Sequence, residues 1–145
     1  MELDSLYQEV ILDHYKYPQH KGLSPVFTAQ VHHVNTSCGD EITLNLILEG
    51  NQISSLTWDG QGCSISQASV SMMSELLIGK TLDQASLIST NFSDLMSSKG
   101  TSSGDSLILE DAVAFAGVSK FPGRIKCALL GWMAFKDAAI QAQTD

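Results

Sequence analysis

The apolar residues of this chain switch from a helical period to an alternating one and back again. Leu3, Leu6, Tyr7, Val10, Ile11 and His14 recur at helical spacing, with Asp4 or Ser5 placed to cap them. Tyr17-Pro18 ends that helix, because proline restricts the residue before it and cannot extend the ladder. Residues 19–25 are a connector by composition. Val26 to Val34 then reads as a strand from its β-branched and aromatic content, and Ile42 to Leu48 alternates apolar and polar positions until its last two residues. A third strand, Ile53 to Trp58, follows the turn Glu49-Gly50-Asn51-Gln52. The short Gly-Asn turn makes the second and third strands an antiparallel hairpin, and Ser37 to Glu41 suits another tight connection. The expected sheet is a three-stranded meander.

Helical spacing returns at Ile65, Ala68, Met72, Leu76 and Ile78, between Ser64 and Gly79. Cys63 is thereby set at a helix N-terminus, where unpaired N–H groups and the helix dipole favour a thiolate. Thr81 with Gln84 has the pattern of a capping box ahead of Leu82, Ala85, Phe92, Leu95 and Met96, although the serines and threonines of Ser86 to Ser93 weaken that helix. Ser97 to Gly104 is expected to be a mobile surface loop and Leu107 to Ala116 a short helix. Phe121-Pro122-Gly123 introduces a last long helix with Ile125, Ala128, Leu129, Trp132 and Ile140 as its apolar stripe. Arg124, Cys127 and Gly131 share an adjacent face, and Trp58 and Trp132 are expected in the core.

A chain of 145 residues, 43% hydrophobic and 17% charged, is expected to fold as one globular domain spanning 1–145. The class is α+β, a small three-stranded antiparallel sheet packed against several helices. Lys and Arg total 8 against 16 Asp and Glu, a net charge of -8 that repels phosphate backbones and favours a neutral or basic protein partner over nucleic acid. The stretch MELDSLYQEV carries acids where a secretory signal carries bases, and no apolar run approaches the roughly 20 residues of a membrane span. A cytoplasmic setting follows. The 3 cysteines cannot all pair, and a reducing compartment leaves them for metal binding or thiol chemistry.

Asn35-Thr36-Ser37-Cys38-Gly39-Asp40 puts a thiol and a carboxylate two residues apart in a turn. In a meander, the start of the second strand lies beside the end of the third, so Cys38 and Asp40 meet Gly60-Gln61-Gly62-Cys63 at one end of the sheet. With Cys127, they form a set of thiolates plus one carboxylate suited to tetrahedral zinc. A hydrolytic role is disfavoured, since four protein ligands leave no position for water. Each residue alone has a plainer reading: Asp40 as a turn aspartate, Arg124 and Lys126 as solvated helix residues, a lone cysteine as a small buried hydrophobe. The histidines stay outside the set. His32 and His33 point to opposite faces of a regular strand, His20 lies in a loop, and His14 is expected to bond locally.

The ordered motifs Leu6 to Pro18, Asn35-x-Ser37-Cys38-Gly39-Asp40, Gly60-x-Gly62-Cys63-Ser64-Ile65-Ser66 and Arg124-x-Lys126-Cys127-Ala128-Leu129-Leu130 resemble the SufU-type members of the IscU-like (NifU N-terminal) iron–sulfur assembly proteins. The resemblance implies the same α+β fold and zinc on Cys38, Asp40, Cys63 and Cys127. It also implies a zinc-dependent sulfurtransferase whose Cys38 accepts persulfide sulfur from a pyridoxal-phosphate cysteine desulfurase of the SufS type and relays it to a downstream iron–sulfur scaffold complex. Arg124 is expected to orient Cys38 or the persulfide, or to contact the partner. Lys126 stands where IscU-type scaffolds carry histidine, and the segment around Lys99 to Gly117 is extra relative to them. Assembly of an iron–sulfur cluster on the same ligands is the alternative, and a purely structural zinc site is a third reading.

Overall fold

A computed structural model of the chain describes residues 5–144. The expected helix positions Leu3 and Asp4, and the side chains of Ser5 and Leu6, lie outside the described residues. Helix α1 (Ser5–Lys16) leads into strands β1 (Ala29–Asn35), β2 (Asp40–Glu49) and β3 (Gln52–Gln61), which pair antiparallel in the order β1-β2-β3. Alternation decides which face is buried. Val31, Leu44 and Trp58 stand opposite one another across the sheet, as do Ala29, Leu46 and Leu56, and all six are buried. The two-residue turn Gly50-Asn51 closes the hairpin with Gly50 at φ 62°, a conformation glycine adopts without Cβ strain.

The first strand starts three residues later than Val26. Residues 20–22 instead pair with the free edge of β3, and residues 24–28 cross the outer face of the sheet. Gly22 N–H donates to Trp58 O (2.7 Å), Ser24 N–H to Thr57 Oγ1 (2.9 Å), and the Asn45 side chain to Ser24 O (2.8 Å). That crossing buries Asn45 and leaves Val26 and Phe27 exposed.

The inner face is covered by helices α2 (Ser64–Leu77) and α5 (Pro122–Thr144): α5 packs on β1 and β2, α2 on β3 and α5, and α1 on α2. Helix α2 is buried on nearly every side, so its serines do interhelical work. Ser69 Oγ donates to Ala128 O at 2.6 Å, and Ser71 Oγ accepts from Gln19 N–H at 2.8 Å. Helix α3 (Leu82–Ser97) forms with its capping box complete, Thr81 and Gln84 each accepting from the other's backbone N–H. The hydroxyl-rich run did not break it, because Ala85, Ile88, Phe92, Leu95 and Met96 are buried.

Two helical expectations are corrected. Leu107 to Ala116 is not one helix: α4 (Ser106–Leu109) breaks at Glu110 (φ 48°), and a 3-10 helix runs over Glu110–Lys120. Leu109, Ala112, Phe115 and Val118 are buried at every third position, the period of a 3-10 winding. In α5, Ile140 is exposed, and the buried face runs instead through Cys127, Ala128, Leu130, Ala134, Phe135 and Ala138 with Trp132. No described helix is long and apolar enough to cross a membrane.

Candidate metal centre

The site is built where three chain reversals meet. Gly39 (φ 70°) sits between Cys38 and Asp40 in the turn joining β1 to β2, a left-handed conformation that turns the chain tightly enough for both side chains to converge. Asp40 is the first residue of β2 and is only 2% exposed. Its Oδ1 accepts the backbone N–H of Cys63, the N-cap residue of α2, at 2.8 Å. This approach requires Gly62, since a Cβ there would strike the Asp40 carboxylate.

Cys127 arrives from the second turn of α5, fully buried, with Sγ 2.9 Å from Cys38 Sγ. One ligand atom each from Cys38, Asp40 and Cys127 lies within 4.8 Å of the others. Cys63 stands at the rim: its Sγ is 3.9 Å from Asp40 Oδ2 but outside that trio. Arg124 and Lys126 are exposed on the first two turns of α5, and the Arg124 guanidinium has no bonded partner among the described residues.

The electrostatics of this cluster are one-sided. Among the described residues no lysine, arginine or histidine pairs with Asp40. Burial pushes the Cys127 thiol well above its ordinary range, with the adjacent Cys38 sulfur and the Asp40 carboxylate adding to the effect. Burying an unpaired carboxylate among thiols is costly unless positive charge is supplied. A divalent cation opposes these effects by attracting the anionic forms of the thiols and carboxylate, and sulfur with one carboxylate is a donor set suited to zinc.

The histidines are engaged elsewhere. His20 Nε2 lies 2.9 Å from Glu75, His33 Nε2 3.0 Å from Asp137, and His32 Nδ1 2.8 Å from Thr43 Oγ1. His14 bonds not locally but to Ser71 of α2, at 2.8 Å. Sequence reasoning missed Asn35, whose side-chain Nδ2 lies 3.8 Å from Cys127 Sγ. Its place at the head of the Cys38 motif was the only available signal.

Fold and site together define an α+β protein that gathers thiols and a buried carboxylate at one end of a small sheet. The chain belongs to the NifU-like N-terminal domain family, which it matches over residues 6–128. It is 45% identical over 135 residues to the zinc-dependent sulfurtransferase SufU of Bacillus subtilis (strain 168), covering 92% of this chain and 89% of that protein. It is 39% identical over 138 residues to the iron–sulfur cluster assembly scaffold protein IscU of Streptococcus pyogenes serotype M1, covering 94% and 84%. The fold matches the crystal structure of a nitrogen-fixing NifU-like protein (N-terminal) from Brucella abortus with a TM-score of 0.86 at 21% identity, over 96% of this chain and 95% of that one.

Proposed function

We propose that this chain is a zinc-dependent sulfur acceptor of iron–sulfur cluster assembly, working in a reducing cytoplasm. On this reading it takes persulfide sulfur from a pyridoxal-phosphate cysteine desulfurase onto Cys38 and passes it to the downstream assembly machinery. The observation that carries the reading is Asp40, buried without a cationic partner beside Cys38 and Cys127. The name of the Bacillus relative supports it. Cys38, Asp40, Cys63 and Cys127 are the proposed ligands, and bound zinc supplies the charge that keeps the sulfurs deprotonated.

Cys38 suits the acceptor role because it lies half-exposed on a turn, whereas Cys127 is buried in α5. In the transfer step the Cys38 thiolate attacks the outer sulfur of the desulfurase persulfide. A sulfur–sulfur bond forms at Cys38, the donor's sulfur–sulfur bond breaks, and the electron pair leaves on the desulfurase cysteine as its thiolate. Arg124, in solvent one turn ahead of Cys127, is assigned to the persulfide or to the docked partner. A net charge of -8 favours a neutral or basic docking face.

A scaffold role is the second reading, favoured by the name of the Streptococcus relative and by the ability of the same ligands to hold iron. Metal analysis combined with a desulfurase turnover assay separates the two. Zinc without iron, and stimulation lost in Cys38→Ala, supports sulfur acceptance. A reconstituted cluster passed intact to an apo-protein, without stimulation of the desulfurase, supports the scaffold.

A further inference from the structure

The turn that carries Cys38 begins at Asn35, a residue used by neither the proposed ligand set nor the sulfur step. It is nevertheless tied to three of the four proposed ligands. Its backbone carbonyl accepts the Cys38 N–H at 3.3 Å, Asp40 is its partner across the β1–β2 ladder, and its side-chain Nδ2 lies 3.8 Å from Cys127 Sγ. The Gly123 carbonyl is 3.8 Å from Cys38 Sγ and 3.9 Å from Cys127 Sγ, so it does not distinguish the two sulfurs. The Asn35 amide does.

We infer that Asn35 is a positioning residue of the metal centre: its side-chain amide donates to the Cys127 sulfur, holding that thiolate quiet and leaving Cys38 as the sulfur that reacts. The inference rests on the metal-centre reading above. An N–H donated to a thiolate draws charge from it and fixes its orientation, the ordinary means by which an outer residue tunes a ligand. Because Asn35 sits at the end of β1, strand pairing aims its side chain at α5 while its main chain closes the Cys38 turn. One residue thus sets the two sulfurs' different reactivities without touching the metal.

Cobalt(II) titration of the full metal-free chain tests this, because the thiolate-to-cobalt charge-transfer band reads the charge on sulfur. Asn35→Leu, which keeps bulk and removes the donor, is expected to move the band to longer wavelength and to lower zinc affinity in chelator competition by about ten- to hundredfold. Asn35→Ala serves if the leucine variant does not fold, and Asn35→Ser, retaining an O–H donor, is expected to recover part of the shift. A folded Asn35→Leu or Asn35→Ala protein with the wild-type band and unchanged zinc affinity overturns the role of Asn35 and leaves the metal centre standing. Failure of the wild-type chain to show any such band overturns the metal-centre reading itself, and this inference with it.

Discussion

Cys38 Sγ and Cys127 Sγ stand 2.9 Å apart although 89 positions separate them in the chain. One belongs to the turn after β1 and the other to α5, so the site joins the sheet to the helix that covers it. An ion held there adds a bridge between elements that otherwise meet through apolar packing and the His33–Asp137 contact, which couples metal binding to the docking of α5.

Chelation is therefore expected to lower the melting temperature of the zinc-loaded chain, since a metal bound only by the folded state adds its binding free energy to stability. In Cys127→Ala the zinc-loaded and chelated samples are expected to melt together. Circular dichroism melts with and without chelator check this, and an unchanged wild-type melting temperature on chelation contradicts it.

Gly62→Ala is expected to reduce zinc affinity with little loss of secondary structure. The added methyl meets the Asp40 carboxylate, with Ser66 Oγ 2.9 Å on another side, so the carboxylate must move from its bond to Cys63 N–H. Chelator competition gives the answer directly. Wild-type affinity in the variant means that Asp40 is not held as described.

Gly131→Ala separates packing from chemistry. Its methyl would sit 2.8 Å from Val70 Cβ at the α2–α5 contact, and overpacking of this kind costs about 1–3 kcal/mol. The variant is expected to lose stability in urea while still binding stoichiometric zinc.

Acid sensitivity is expected from His14. Burial, the dominant influence, holds its imidazole below the ordinary 6.5 despite the opposing carboxylates of Asp111, Glu75 and Asp13. Below pH 6.5 the unfolded chain takes up a proton that the folded chain resists, so stability falls as pH drops from 6.5 toward the folded value. His14→Gln is expected to flatten this part of the stability profile, and equal slopes in the two proteins would exclude His14 as the cause.

The meander was legible because β2 alternates cleanly, with Ile42, Leu44 and Leu46 all buried, and because Gly50-Asn51 marks its hairpin. That topology alone placed Cys38, Asp40 and Cys63 at one end of the sheet, whereas the ligand atoms the structure gathers within 4.8 Å are those of Cys38, Asp40 and Cys127. The start of β1 was less readable: Val26 and Phe27 have strand propensity, yet the chain there is drawn across the sheet by Ser24, Thr57 and Asn45, distant partners that no local pattern reveals. The 3-10 segment did carry a signal, the three-residue spacing of Leu109, Ala112, Phe115 and Val118, but helical periodicity obscures it over so short a run. Ile140 was misassigned because the buried face of α5 runs through Leu130, Ala134, Phe135 and Ala138, where small alanines alternate with large residues and carry no strong apolar signal of their own.

Zinc-edge X-ray absorption on the purified chain tests the central claim most directly. The predicted coordination shell contains the sulfurs of Cys38, Cys63 and Cys127 and one oxygen, with a sulfur lost in each single cysteine-to-alanine variant and the oxygen lost in Asp40→Ala. A shell of nitrogen and oxygen only, or a sulfur content unaffected by Cys63→Ala, would contradict it.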